Sequence, residues 1–268
     1  MVNRVDKLLI FGDEYGVSEV LGKLPVKNLT AIIGASIRPQ GHAYLGELAR
    51  AYGVPFIVQP RASDRVERAE FYRRIESLRP DGLICNSYAL LIPPDILELV
   101  SGYAFNVHFS LLPINRGPNP IQWALIRGDS VTGATLHVMT AGFDEGPIVD
   151  QQEVLILQSD TWVSLMERAK EASTEILQRT LPKLLAGSWT ARPQDQSKAR
   201  INFRIPKTSF ELDLPSMSDL QVFNLIRAQV APLAGAYLIE GANTLRFRDY
   251  LTLEQVRDLR SKHNCFIS

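Results

Sequence analysis

The chain has 268 residues, with 29 Lys+Arg balanced by 29 Asp+Glu, 46% hydrophobic and 22% charged residues, and two cysteines. That is ordinary globular usage, enough for one large or two modest domains, and a formal net charge of zero argues against a protein that grips a phosphate backbone through a basic stripe. The apolar run Lys7 to Phe11 is too short for a secretion signal, no stretch approaches the ~20 apolar residues of a membrane helix, and the histidines and cysteines lack zinc-site spacing, so a cytoplasmic location with no membrane and no metal is expected.

In chain order, Leu8–Phe11 reads as a buried strand, the region near Val17 to Leu24 as a helix, and Leu29–Ile33 as a strand. Ala43–Ala51 follows as a helix, Pro55–Val58 as a strand, Arg65–Leu78 as a helix and Gly82–Asn86 as a strand. Cys85 falls in this last apolar run, so a buried free thiol is expected there and no disulfide with Cys265. Strands alternating with helices give an α/β fold, a Rossmann-like and mostly parallel sheet with helices on both faces. Ligands of such a sheet bind outside the carboxyl ends of its strands, near a switch in strand order. Gly12 to Gly16 is not a G-x-G-x-x-G loop and carries Asp13 and Glu14 where a phosphate would be repelled, so it reads as a turn into a helix. Arg38 to His42 reads as a solvated loop, although Arg38 could meet a phosphate or carboxylate.

Ala104–His108 reads as a short buried strand with Asn106 and His108 on one side. A lone Asn or His on a strand is ordinarily a core or edge residue; this pair has a chemistry in common. An acyl carbon passed to a nucleophile goes through a tetrahedral intermediate bearing an oxyanion, which needs a donor such as Asn106 and a base such as His108. Asp144 near His108 would orient the ring and favour the imidazolium. Ser110 to Pro113 and Gly117-Pro118 need only be a strand exit and a loop breaker.

Further on, Thr161–Leu185 is one amphipathic helix with Leu165, Ala169, Ala172, Ile176 and Leu181 spaced for burial and Trp162 and Met166 read as core. Ser188–Lys198 is polar and reads as a linker. The remainder forms a small α+β region: a helix over Ser218–Gln229 capped by Ser216 or Ser218, two short strands, and a helix over Leu253–Arg260. The expected division is a catalytic domain over 1–190 and a small carboxyl-terminal domain over 191–268.

The run His108 to Pro113, with Gly117, Pro120, Trp123, Gly128, Thr132-Gly133, Thr135 to His137, Met139 and Asp144 to Ile148, resembles the 10-formyltetrahydrofolate-dependent formyltransferases. More weakly, the resemblance reaches back through Asn86 to Pro93 and forward to about Gly187. The resemblance implies that Asn106, His108 and Asp144 form a catalytic triad. It further implies that Asn86, Ser87, Tyr88, Ala89, Leu90 and Ile92, with Thr140, Ala141, Gly142 and Phe143, hold the pterin of a 10-formyltetrahydrofolate cosubstrate through their backbone. Thr132 and His137 sit at motif positions but read as strand packing.

The family includes methionyl-tRNA formyltransferase, glycinamide ribonucleotide formyltransferase and sugar-nucleotide N-formyltransferases. Asn224 to Ala228, followed by Pro232 and Gly235 to Tyr237, resembles the opening of the second domain in the sugar-nucleotide and tRNA enzymes. Balanced charge and a short final region favour the sugar nucleotide over nucleic acid, and an appended region disfavours the purine-pathway enzyme. The expected activity is formyl transfer to the amine of a nucleoside-diphosphate-linked amino sugar, of the kind used in O-antigen or lipopolysaccharide biosynthesis, with a homodimer left open. Methionyl-tRNA formyltransferase and formyltetrahydrofolate hydrolase are the alternatives, and a non-enzymatic folate-binding protein is the weakest reading. Arg116, Asn119, Gln122 and Arg227 could touch the acceptor but read equally as loop or helix residues.

Overall fold

The computed structural model describes residues 4–100 and 103–264; Cys265 lies outside them. The elements run β1 (Leu8–Gly12), α1 (Glu14–Leu21), β2 (Leu29–Ala35), α2 (His42–Ala51), β3 (Phe56–Gln59), α3 (Arg65–Leu78), β4 (Gly82–Asn86), α4 (Pro94–Leu99) and β5 (Ala104–His108). They continue as α5 (Pro120–Arg127), β6 (Val131–Val138), β7 (Ile148–Leu155), α6 (Trp162–Ala186), α7 (Asp219–Arg227), β8 (Ala236–Glu240), β9 (Asn243–Phe247) and α8 (Leu253–Asn264). The chain divides into two compact units: one is the chain to His108 with Ala134–Gln152 and Ser173–Gln196, the other Phe109–Gly133, Glu153–Ala172 and the chain from Ser197.

Seven strands form one sheet in the order β3-β2-β1-β4-β5-β6-β7. β1 to β5 pair in parallel and β6 runs antiparallel to β5, so the expected mostly parallel α/β sheet is what forms. β1 and β4 are buried at every position, which is why their sequences are unbroken apolar runs and not alternating ones. The strand order reverses between β1 and β4, and the first crevice opens there.

The first helix starts earlier than its apolar spacing suggested. Asp13 caps α1 by accepting from the Gly16 amide at 2.9 Å, so helix begins at Glu14. Gly16 is in this first turn because a Cβ there would lie 1.9 Å from the Asn86 carbonyl; only glycine lets the helix start abut the end of β4. α3 spans its expected residues and buries Phe71 and Ile75 in a cluster with Leu9, Phe11, Ile33, Leu83, Cys85, Ile92 and Ile96. Each large apolar side chain buried in this way contributes about 1.5–3 kcal/mol.

In α6, Leu165, Ala169, Ala172, Ile176 and Leu181 are all buried, as their spacing required. The segment expected to be a linker is fixed in place. Trp189 meets Phe105 edge-on at 5.1 Å, and Arg192 exchanges backbone hydrogen bonds with Ile148 at 2.8 and 2.9 Å. A polar, proline-containing sequence looks the same whether it floats or is pinned by its backbone, and only the pairing tells them apart.

The second unit has its own core of Leu212, Leu214, Val222, Phe223, Leu225, Ile226, Ala236, Leu238 and Val256. Of the two candidate caps, Ser218 is used: it forms a capping box with Gln221 at the start of α7. β8 and β9 make an antiparallel hairpin turned at Gly241, whose φ is +60°.

Candidate active site

β5 and β6 lay out the site. Antiparallel pairing sets His137 opposite Asn106 and Thr135 opposite His108, and residues directly opposed share a face. Cys85 of β4 pairs with Asn106 and lies on the same side.

The turn after β6 brings in Asp144. Its Oδ1 lies 3.4 Å from Asn106 Nδ2 and 3.4 Å from His137 Nε2, and its Oδ2 lies 3.5 Å from His108 Nδ1. Thus Asn106, His108 and Asp144 do meet, in a cluster that also holds His137. His137 Nδ1 is 3.0 Å from the Val138 carbonyl, which can only accept. The neutral ring therefore presents its Nε2 lone pair, and Asn106 Nδ2 donates to it at 3.1 Å. The two histidines are 8% and 2% exposed, so charges arising among these groups are poorly screened by water.

From the sequence alone His137 reads as strand packing. The available signal was the spacing of Thr135 and His137, two apart like Asn106 and His108, but it points to a shared site only once the register of β6 on β5 is known.

Asp144 has a φ of +51°, a left-handed conformation that costs a non-glycine residue about 1–3 kcal/mol and persists only where its surroundings impose it. They do. Gly146 is so close to β6 that a Cβ would lie 1.8 Å from the Val138 carbonyl, and the Val138 amide donates to Pro147 at 2.9 Å. Gln194, 6% exposed, donates from Nε2 to the carbonyls of Asp144 and Gly146 at 2.8 and 2.7 Å.

The second loop leaves β4. Asn86 pairs with Val107 and so shares its face and not that of Asn106; both of its polar side-chain atoms are buried without a hydrogen-bond partner. Ser87 donates from Oγ to Asp13 at 2.6 Å. The Tyr88 hydroxyl lies 3.1 Å from Gln59 Oε1, and Gln59 Nε2 donates to the Leu91 carbonyl at 2.8 Å. Ala89 and Leu90 are half-buried and Ile92 is in the core. On the turn from β6, Thr140, Ala141 and Phe143 are exposed and Gly142 is half-buried. Each loop carries an exposed apolar side chain, Leu91 at 60% and Phe143 at 65%. Burial pushes the Tyr88 hydroxyl well up, with Cys85 adding to it, and pushes the Cys85 thiol up, with Asp144 and Asp13 adding to it.

Arg38 lines a small cleft with Asp13, Glu14, Ser87 and Tyr88. Within the second unit, Arg227 is engaged by the protein: it donates to Asn224 Oδ1 and to the Leu157 carbonyl, both at 3.0 Å, and stacks over Phe223. Desolvation lowers its pKa, with Asp160 opposing. Arg116 is 3% exposed, whereas Asn119 and Gln122 are half-buried at the start of α5. Among the described residues, no group of three or more His, Cys, Asp or Glu is placed to hold a metal ion, and no helix is long and apolar enough to cross a membrane.

A sequence profile of the formyl transferase family matches residues 9–181. The chain belongs to that family. Its fold is similar to that of a sugar N-formyltransferase from Shewanella sp. FDAARGOS_354, with 19% identity and a TM-score of 0.72 over 91% of this chain and 96% of that one. It is also similar to WlaRD, a sugar 3N-formyl transferase solved with dTDP and 5-N-formyl-THF, with 16% identity and a TM-score of 0.61 over 84% and 79% of the two chains. A third likeness is to phosphoribosylglycinamide formyltransferase from Brucella melitensis, with 27% identity and a TM-score of 0.57 over 70% of this chain and 100% of that one.

Proposed function

We propose that this formyltransferase moves the formyl group of 10-formyltetrahydrofolate to the amine of a nucleoside-diphosphate-linked amino sugar. The observation that carries the reading is the convergence of Asn106, His108 and Asp144 in one poorly hydrated cluster on β5 and the turn after β6. When bound, the folate supplies an electrophilic formyl carbon. Asn106 donates the amide hydrogen not taken by His137 to the formyl oxygen as negative charge develops on it, His108 takes the proton from the attacking amine and returns it to the folate nitrogen as the carbon–nitrogen bond to the formyl group breaks and tetrahydrofolate leaves, and Asp144 holds the imidazole and favours its charged form. His137 fixes the Asn106 carboxamide by accepting one of its two hydrogens.

Two features fit the folate. The loops at Asn86 to Ile92 and Thr140 to Phe143 reach the surface over residues 87–91 and 140–143, where they could meet the edge of a pteridine, and Leu91 and Phe143 offer apolar surface for its faces. WlaRD, solved with 5-N-formyl-THF, supports the same choice.

For the acceptor, coverage supports the sugar. The Shewanella enzyme is matched over 91% of this chain, whereas the Brucella phosphoribosylglycinamide enzyme, used in full, accounts for 70%. The zero formal charge disfavours a tRNA. A catalytic region over 1–190, an accessory region over 191–268 and a cytoplasmic role in O-antigen or lipopolysaccharide sugar synthesis belong to the same proposal.

The test is consumption of 10-formyltetrahydrofolate with dTDP-, GDP- and UDP-linked amino sugars, read by mass spectrometry as formyl incorporation. Turnover that requires the amine supports the reading. Formate release without any amine would replace it with the hydrolase.

A further inference from the structure

We propose that Gln194 is a positioning residue for Asp144, acting as a clamp on the turn that carries it. This rests on the reading above that Asp144 works at the reacting centre. The carboxylate sits 3.4 Å from Asn106 Nδ2 and 3.5 Å from His108 Nδ1, long contacts that a small rotation of the turn would break. Asp144 is also in a left-handed conformation, with φ +51°, which costs a residue with a Cβ free energy and so must be held by its surroundings.

What opposes that rotation comes from 50 residues further along the chain. Gln194 Nε2 donates to the carbonyls of Asp144 and Gly146, at 2.8 and 2.7 Å, and so ties two carbonyls of the turn, that of Asp144 itself included, to one carboxamide. Gln194 is in turn held by its own strand-like segment. Two residues before it, Arg192 exchanges backbone hydrogen bonds with Ile148, and the Arg192 guanidinium donates to Gln151. Gln151 donates to Thr135 Oγ1 at 2.9 Å, on the residue opposite His108. The clamp is therefore referred to the same strands that carry the other members of the cluster.

Gln194→Leu keeps the bulk and removes the donor. Gln194→Glu restores one hydrogen only while its carboxyl is protonated and sets a negative charge against two carbonyl oxygens once it ionises. The expected result for Gln194→Leu is a kcat lower by about 10- to 100-fold, with Michaelis constants little changed, since displacement of a reacting group acts on the transition state. Gln194→Glu should recover toward the wild-type rate at the same pH as the pH is lowered, a recovery that Gln194→Leu lacks.

Amide hydrogen exchange of the peptide covering 140–147 supplies a readout that needs no substrate. It should quicken by about tenfold or more in Gln194→Leu, while β1 and β4 exchange as in the wild type. Unchanged exchange overturns the clamp whatever the assay gives, and quicker exchange with a wild-type kcat overturns the positioning role. A wild-type protein that transfers no formyl group overturns the functional reading instead, leaving exchange to judge the clamp. If Gln194→Leu does not fold, Gln194→Glu compared at two pH values carries the same decision.

Discussion

At the scale of single residues, the proposed mechanism divides the work around Asp144 between charge and donation. His108→Ala is expected to lower kcat by roughly 10²–10⁴-fold, the contribution of a placed acid–base group, with folate binding and thermal stability near the wild-type values. Steady-state kinetics together with a thermal melt check this, and near-normal turnover in a folded His108→Ala protein would remove His108 from the mechanism. Cys85 makes a different prediction. Burial raises its thiol, so the folded chain keeps this proton after the unfolded chain has lost it at about pH 8.5. The stability linked to Cys85 is therefore complete below that pH and is lost as the pH rises above it. Denaturant unfolding at pH 7 and pH 10 should show the wild type losing stability, and Cys85→Ala, which has no thiol to ionise, losing less. Equal losses would show that the buried thiol is not the cause.

At the scale of elements, the approach of α1 to the end of β4 rests on the absence of one side chain. Gly16→Ala would put a Cβ 1.9 Å from the Asn86 carbonyl, so α1 must shift and lose its cap from Asp13. Overpacking of this kind costs about 1–3 kcal/mol, although alanine is the better helix former. Because Ser87 is bonded to Asp13, the shift should reach the loop that we assign to folate. A rise in the Michaelis constant for 10-formyltetrahydrofolate together with a lower denaturation midpoint is the expected pair of effects. A stabilised Gly16→Ala protein would contradict the packing argument.

At the scale of the whole molecule, the proposal of a sugar-nucleotide acceptor rests on charge. A tRNA acceptor needs several phosphate contacts, and its affinity would fall steeply with salt; 29 basic residues against 29 acidic ones leave little surplus for that. Formylation of a sugar nucleotide is expected to vary only weakly with salt concentration, and charged initiator tRNA is expected to remain unmodified. Radiolabelled formyl incorporation into both acceptors, measured across a salt series, checks this. Efficient, salt-sensitive transfer to the tRNA would reverse the assignment.

The amino-acid sequence by itself determined the alternating strands and helices, the boundaries of α3, and the pair Asn106 and His108. All of these depend on local periodicity, burial or a spacing of two along one strand. It also marked Asp144, through the resemblance of its surroundings to a family. What only the tertiary structure decided are the groups whose role depends on register or on contacts between distant segments. His137 becomes a partner of Asn106 because β6 is antiparallel to β5 in one register, and a shift by one residue would have turned it to the other face. Gln194 lies in a stretch that reads as a polar linker, and Asn86 reads as a site residue although its side chain faces away from Asn106. Hydrogen bonds made across 50 residues leave no periodic trace in the chain, because no local pattern is needed to form them.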